Sequence, residues 1–141
     1  MSGVTLTDRS DEAIDAMSEA VEAALEAMGQ QGSSYAKTNI TKAGRVDTGA
    51  LRNSMNHLAV PSEGAVYIGT NQDYAIYNEL GTGIYLEGGG GRQTPWSYKD
   101  ASGRWHTTNG IRPIHFLKNA IADNREKLLK IAAEIIKKRM T

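Results

Sequence analysis

Cysteine is absent from the 141 residues, which excludes disulfide frameworks, thiolate zinc sites, iron–sulfur clusters and a cysteine nucleophile. Phenylalanine occurs once, and histidine and proline three times each, so imidazole chemistry rests on His57, His106 and His115 alone. No apolar run approaches the ~18–20 residues of a membrane span, and Met1–Ser10 lacks the basic-then-apolar order of a signal peptide. The expectation is a protein made in a cytosol, with no membrane partner. A net charge is lacking too: 16 Lys+Arg stand against 16 Asp+Glu, which argues against indiscriminate DNA coating. What is present fits one globular domain, 1–141. With glycine counted and tyrosine left out, roughly 47% of the chain is apolar, and a chain this long buries about two-thirds of its unfolded surface.

The charge is neutral only in sum. Met1 to Gln31 carries seven acids and one base, a net of −6, whereas Ile111 to Thr141 carries eight bases and three acids, a net of +5. Such halves attract, either within one chain or between neighbours in an assembly. An intersubunit version is sensitive to salt, because screening acts over about 8 Å.

Four regions follow along the chain. In 1–44, Ser10 or Thr7 is a plausible N-cap, and Ile14, Met17, Val21, Leu25 and Met28 recur as one helical stripe. Gly29, Gly32, Ser33 and Ser34 predict a bend or break before Tyr35 and Ile40. In 45–81, Asp47 or Thr48 caps a short helical turn through Gly49, Leu51, Arg52 and Ser54, with Leu51 pointing inward. Two strands, Met55 to Val60 and Ala65 to Gly69, flank the turn residues Pro61 to Gly64. Asp73 can cap a helix over Tyr74 to Leu80, stopped by Gly81. In 82–110 the texture changes. Gly81, Gly83, Gly88–Gly91 and Gly103 are seven of the 15 glycines, and Tyr74 to Trp105 holds six of the nine aromatics. Trp96–Lys99 and Arg104–Thr107 predict a hairpin; pairing Lys99 with Arg104 sets Tyr98 opposite Trp105. Such a ribbon is marginal alone and should lean on something. In 111–141, Pro113 opens a final helix with Leu117, Ile121, Leu128, Ile131 or Ala132, and Ile135 on its apolar face. The expected fold is α+β: a long N-terminal helix and a C-terminal helix packed on a small antiparallel sheet, with an extra aromatic hairpin.

Catalytic patterns are weak. Gly81-Thr82-Gly83 lacks a third glycine at Leu86 and follows a helix, and the tetraglycine is followed by Arg92-Gln93, so no nucleotide-binding loop results. The histidines lack metal-ligand spacing. Ser54, His57 and Asp47 assemble a triad only on paper, without a strained elbow or an oxyanion-hole motif. The basic helix carrying Lys127, Lys130, Lys137, Lys138 and Arg139 has interleaved acids and no aromatic stacking partner. The aromatic segment is sharper. A core position suits Tyr77 and Tyr74, whereas Trp96, Tyr98, Arg104 and Trp105 are candidates for contact with another subunit, since Trp, Tyr and Arg anchor interfaces.

Three stretches then carry a resemblance. Residues 46–54 (VDTGALRNS) resemble the VDTGxLRxS signature of the head–tail joining, or tail-completion, family of long-tailed bacteriophages and prophages. Residues 74–82 (YAIYNELGT) are similar to its YAxYxExGT, and 112–121 (RPIHFLKNAI) to its closing xPxPFLxPAx, with His115 and Asn119 where proline is commoner. The insert 93–110 resembles a hairpin of a Gram-positive subset. The resemblance implies a non-enzymatic virion component at the head–tail junction or tail end, with no catalytic residue and no cofactor. Implied partners are the head connector or stopper, the tail terminator, the tail tube and the chain itself as a sixfold ring, with DNA contact at most indirect. Implied structural positions are Asp47, Thr48, Gly49, Leu51, Arg52, Ser54, Tyr74, Tyr77, Glu79, Gly81, Pro113, Phe116 and Leu117, with Arg52 serving Asp47 or Glu79. The alternatives are a tail-terminator ring and, from another class, a nucleic-acid-binding protein using the basic helix.

Overall fold

The structure, a computed structural model, describes residues 8–44, 49–72, 75–100 and 102–141. Helix α1 (Ser10–Lys42) runs for 33 residues, about 50 Å at the usual rise. Ser10 is its first residue rather than its cap, and Thr7 lies outside the described residues. The N-cap is Arg9, which makes no side-chain capping bond; one residue earlier, Asp8 Oδ1 accepts from the Ser10 amide at 2.8 Å and from the Ser10 hydroxyl. Those bonds, the hydroxyl's first, hold the Asp8 carboxyl below its ordinary value.

The bend expected at Gly29–Ser34 does not occur, because α1 passes through it as continuous helix. The glycines serve packing instead. Gly29 and Gly32 are buried where a hairpin crosses: β1 (Asn56–Val60) and β2 (Ala65–Gly69), antiparallel, with Leu58 opposite Tyr67 and Ala59 opposite Val66. A Cβ on Gly29 would lie 2.4 Å from the His57 ring, and one on Gly32 would lie 2.1 Å from Ile68 Cδ1. His57 Nε2 also meets Glu26 Oε2 at 2.8 Å, pinning β1 to α1. The hairpin turns through a 3-10 segment, Pro61–Glu63, and Gly64 at φ +63.

Three short helices complete the body with one longer one: α2 (Ala50–Ser54), α3 (Ala75–Leu80), α4 (Phe116–Ala122) and α5 (Arg125–Met140). The expected caps Asp47, Thr48 and Asp73, and Tyr74, lie outside the described residues; Gly49 precedes α2 at φ +82. Phe116 and Ile40 are fully buried at the centre of a core shared with Ala36, Leu51, Met55, Ala75 and Ala120. Asn39 Nδ2 donates to the Phe116 carbonyl at 3.2 Å. The buried face of α1 consists of Ala20, Ala24, Leu25, Gly29, Gly32, Ser33, Ala36 and Ile40, and its mostly small side chains permit close approach.

The final helix differs from expectation twice. It starts at Phe116, not at Pro113, because the Ile114 and His115 amides donate to the Asn78 and Glu79 carbonyls at 2.8 and 3.3 Å. It also breaks at Asp123–Asn124, where the Asn124 side chain takes the Ala120 carbonyl at 3.0 Å, a local competitor of the helix ladder. Ile121 is exposed, while Leu128 is buried. Ile14 and Met17 of the α1 stripe are likewise exposed, on a surface groove beside the Pro61–Glu63 turn.

Packing of α5 on α1 sets Lys138 and Arg139 beside Ala23, so the basic end lies along the acidic helix within one chain. Among the described residues no α1 acid pairs directly with an α5 cation, which leaves a diffuse attraction.

Alanine for glycine in a helix normally stabilises by about 1 kcal/mol. Gly29→Ala is expected to destabilise instead by about 1–3 kcal/mol, because overpacking moves the His57 ring and its Cβ. Gly32→Ala costs less, because Ile68 Cδ1 is the free end of its side chain. Urea titration of both variants checks the order; a Gly29→Ala protein more stable than the parent contradicts it.

Candidate functional site

Glu79 joins two of the three sequence motifs. It sits on α3, and its carboxylate accepts from the amides of Leu117 (2.8 Å) and Lys118 (3.2 Å) at the start of α4. A carboxylate at that end satisfies amides the helix cannot pair itself and complements the helix dipole. Arg52, proposed to serve Asp47 or Glu79, is exposed and does not pair with Glu79; Asp47 lies outside the described residues. His115 turns the chain into α4 at φ +48, a value closed to proline. Its Nε2 meets Glu87 Oε2 at 3.1 Å, while its buried Nδ1 has no hydrogen-bond partner and lies 3.9 Å from Glu79.

The same junction closes the base of the insert. Gly81, at φ +83, ends α3 by donating to the Tyr77 carbonyl at 2.9 Å. Thr82 then pairs with Ile111: its amide donates to the Ile111 carbonyl and its Oγ1 accepts from the Ile111 amide, both at 3.0 Å. The Ile84 amide donates to Asn109 at 3.1 Å. Gly83 is held so closely that a Cβ would sit 1.9 Å from the Asn109 carbonyl oxygen. The chain therefore leaves at Thr82 and returns at Gly110 through one tight gate.

Beyond that gate lies the aromatic hairpin, β3 (Trp96–Lys99) with β4 (Trp105–Thr108). Its register is one residue from the expected one: Lys99 faces Trp105 and Tyr98 faces His106. The turn decides this. Asp100 pairs with Arg104 (N to O, 2.8 Å), and Gly103 at φ +86 donates to Asp100, as in a longer hairpin loop with a glycine bulge. A slip of one residue exchanges faces, so Tyr98 stacks on His106 with centroids 5.3 Å apart, and Lys99 lies over Trp105 at 5.9 Å. Asp100 gathers His106 Nε2 (2.6 Å), the Ser102 hydroxyl and the amides of Ser102 and Arg104. These bonds, the His106 one foremost, hold its carboxyl far below the carboxylate range.

Contrary to expectation, among the described residues the ribbon has no substantial packing against another helix or strand. Trp105 is 69% exposed and Tyr98 47%; Arg104 is exposed, and Trp96 is half-buried under the Arg92 guanidinium. Tyr77, expected in the core, is 54% exposed on α3. Leu51 is buried as read, Phe116 is buried too, Leu117 packs at the core margin, and a Cβ on Gly81 would lie 2.9 Å from Pro113 Cδ. Ser54 donates to the Leu51 carbonyl at 2.6 Å and pairs with Thr70, tying α2 to the end of β2. Ser54 and His57 are thus bonded to different groups.

Sequence reading missed Glu87, Asn109 and the Asp100–His106 pair. An Asp-x-Ser-Gly turn is the one signal that points to Asp100 as a turn organiser. It also missed a surface groove of about 440 Å³ between α1 and the hairpin turn, lined by Ile14, Met17, Ser18, Val21, Pro61 and Ser62. Among the described residues no group of three or more His, Asp or Glu side chains is placed to hold a metal ion, and no helix is long and apolar enough to cross a membrane. No family model, curated protein or solved structure matches this chain.

Glu79→Ala is expected to destabilise by about 1.5–3 kcal/mol, the range for a charge-assisted hydrogen bond lost with its donors left behind. Glu79→Gln should cost less, because one acceptor oxygen survives. Chemical denaturation separates the three proteins; an alanine variant within 0.5 kcal/mol of the parent, the usual scatter of inconsequential surface changes, contradicts the clasp.

Proposed function

We propose that this protein is a structural component of a long-tailed phage or prophage, completing the tail and joining it to the head connector through subunit–subunit contacts. One observation carries the reading. The motifs at 74–82 and 112–121, which resemble the tail-completion family, meet in space through Glu79 and the α4 amides. The third motif supports it through Leu51, buried in the same core as Phe116.

The chemistry agrees in kind. A small body fastens an arm whose large rings face outward, as a protein that acts by contact requires. Arg92 over Trp96 and Lys99 over Trp105 add cationic groups next to those rings, which suits an acidic partner surface. In this reading the working residues are Trp96, Tyr98, Arg104 and Trp105, and the partners are the connector or stopper, the terminator, the tail tube and further copies. The protein resides in the virion neck or tail end.

Deletion of the gene from a producing prophage is expected to leave filled heads and tails of normal length that fail to join, visible by negative-stain microscopy. Overlong tails would instead identify a terminator ring, and normal virions would remove the reading.

A further inference from the structure

We infer that the aromatic arm binds single-stranded nucleic acid, its exposed rings stacking on bases while its cations meet phosphates. The inference goes beyond the joining role, which turns the same arm toward protein partners. It also departs from the resemblance, which implies at most indirect contact with DNA.

Positive charge on the arm is left without a partner. Residues 92–108 carry Arg92, Lys99 and Arg104 against Asp100, a net of +2. Asp100 is spent on the turn, where His106, Ser102 and the Arg104 amide occupy its oxygens. Among the described residues no carboxylate pairs with any of the three cations. Two of them lie against rings instead, Arg92 at 5.4 Å from Trp96 and Lys99 at 5.9 Å from Trp105.

Rings stand on both faces of the ribbon. Cross-strand partners share a face, so Tyr98 and His106, both exposed, lie on the side of Trp96, and Lys99 and Trp105 lie on the other. A rigid, flat partner reaches one side only. A single strand is flexible enough to round the turn beside Arg104 and stack on both. Each nucleotide brings one flat ring and one negative charge, which are the two features that the arm sets together. An acidic peptide brings the charge without the ring, and a duplex hides its base faces in the stack. Aromatic platforms beside cations are the common means of holding single strands. Helix α5 has cations but no aromatic residue, so the arm is the better site.

Fluorescence anisotropy tests this on the full chain, with oligothymidylate and oligouridylate of about 12 nucleotides, within the span of small single-strand sites. Binding to either supports the inference, and the tighter of the two tells DNA from RNA. Log affinity against log salt should fall with a slope of about −2, three phosphates at about 0.7 each, and Arg104→Gln should remove about 0.7 of it. Tyr98→Ala and Trp105→Ala should each weaken binding about tenfold, the effect of one lost stacking contact, while Trp105→Phe costs less. Lys137→Gln with Lys138→Gln in α5 should change nothing. Circular dichroism verifies that each variant is folded. The proposal is overturned by no binding, by equal affinity for a duplex or for polyglutamate of matched charge, or by a loss confined to the α5 variant. An effect of only one of the two alanine substitutions also overturns it and returns the arm to a flat protein partner. Failure here alongside unjoined tails in the deletion strain removes the nucleic-acid contact alone; binding alongside normal virions removes the joining role alone.

Discussion

Close approach to one long helix governs this fold. The sheet, α2, α4 and α5 all rest on α1, and its contact face consists of alanine, glycine and serine for most of its length. Most of the residues on that face are small, and many of the large apolar side chains of the chain stay exposed. Backbones come together instead, to the point where a methyl group at Gly29 would strike His57. Packing at interior density extracts dispersion energy from small residues only when no voids remain. The sensitivity of this face to added volume is the cost of that solution.

Much of the body was legible because short-range physics decides it. The β1–β2 hairpin is marked by its turn residues, α3 by its terminal glycine, and the long helix by alanine-rich amphipathic spacing. The failures have identifiable causes. Glycines inside α1 read as breakers because propensity is local, whereas the contact that needs them comes from residues 57 and 68. Ile14, Met17 and Ile121 sit on apolar stripes, yet periodicity reports which residues share a face, not whether anything covers it. The α4–α5 break hinges on one asparagine side chain capturing a carbonyl, a choice that composition does not reveal. In the arm, a five-residue loop replaced the expected four-residue turn and moved the register by one, which exchanged the partner of Tyr98.

The candidate site was legible in its parts and not in its geometry. Glu79, Gly81, Pro113, Phe116 and Leu117 all lie at the junction, but their common purpose emerges only from the capping of α4 by a side chain nearly forty residues upstream. That junction does two things at once: it locks Phe116 into the core and it brings the two feet of the insert together. The arm is thereby anchored rigidly at its base while its strands remain outside the packed body. Such a division suits a protein whose stability lies in one place and whose contacts lie in another, since a residue freed from core packing can be given over to a partner.

Hydrogen exchange on the free chain and on the assembled particle tests this division most directly. Amides of β3 and β4 should open at far lower free energy than those of Ala36 and Ile40 in the free protein, as expected of a ribbon without tertiary support, and should gain strong protection on assembly. Protection of the arm equal to that of α1 in the free chain, or no change in the arm on assembly, would contradict the account.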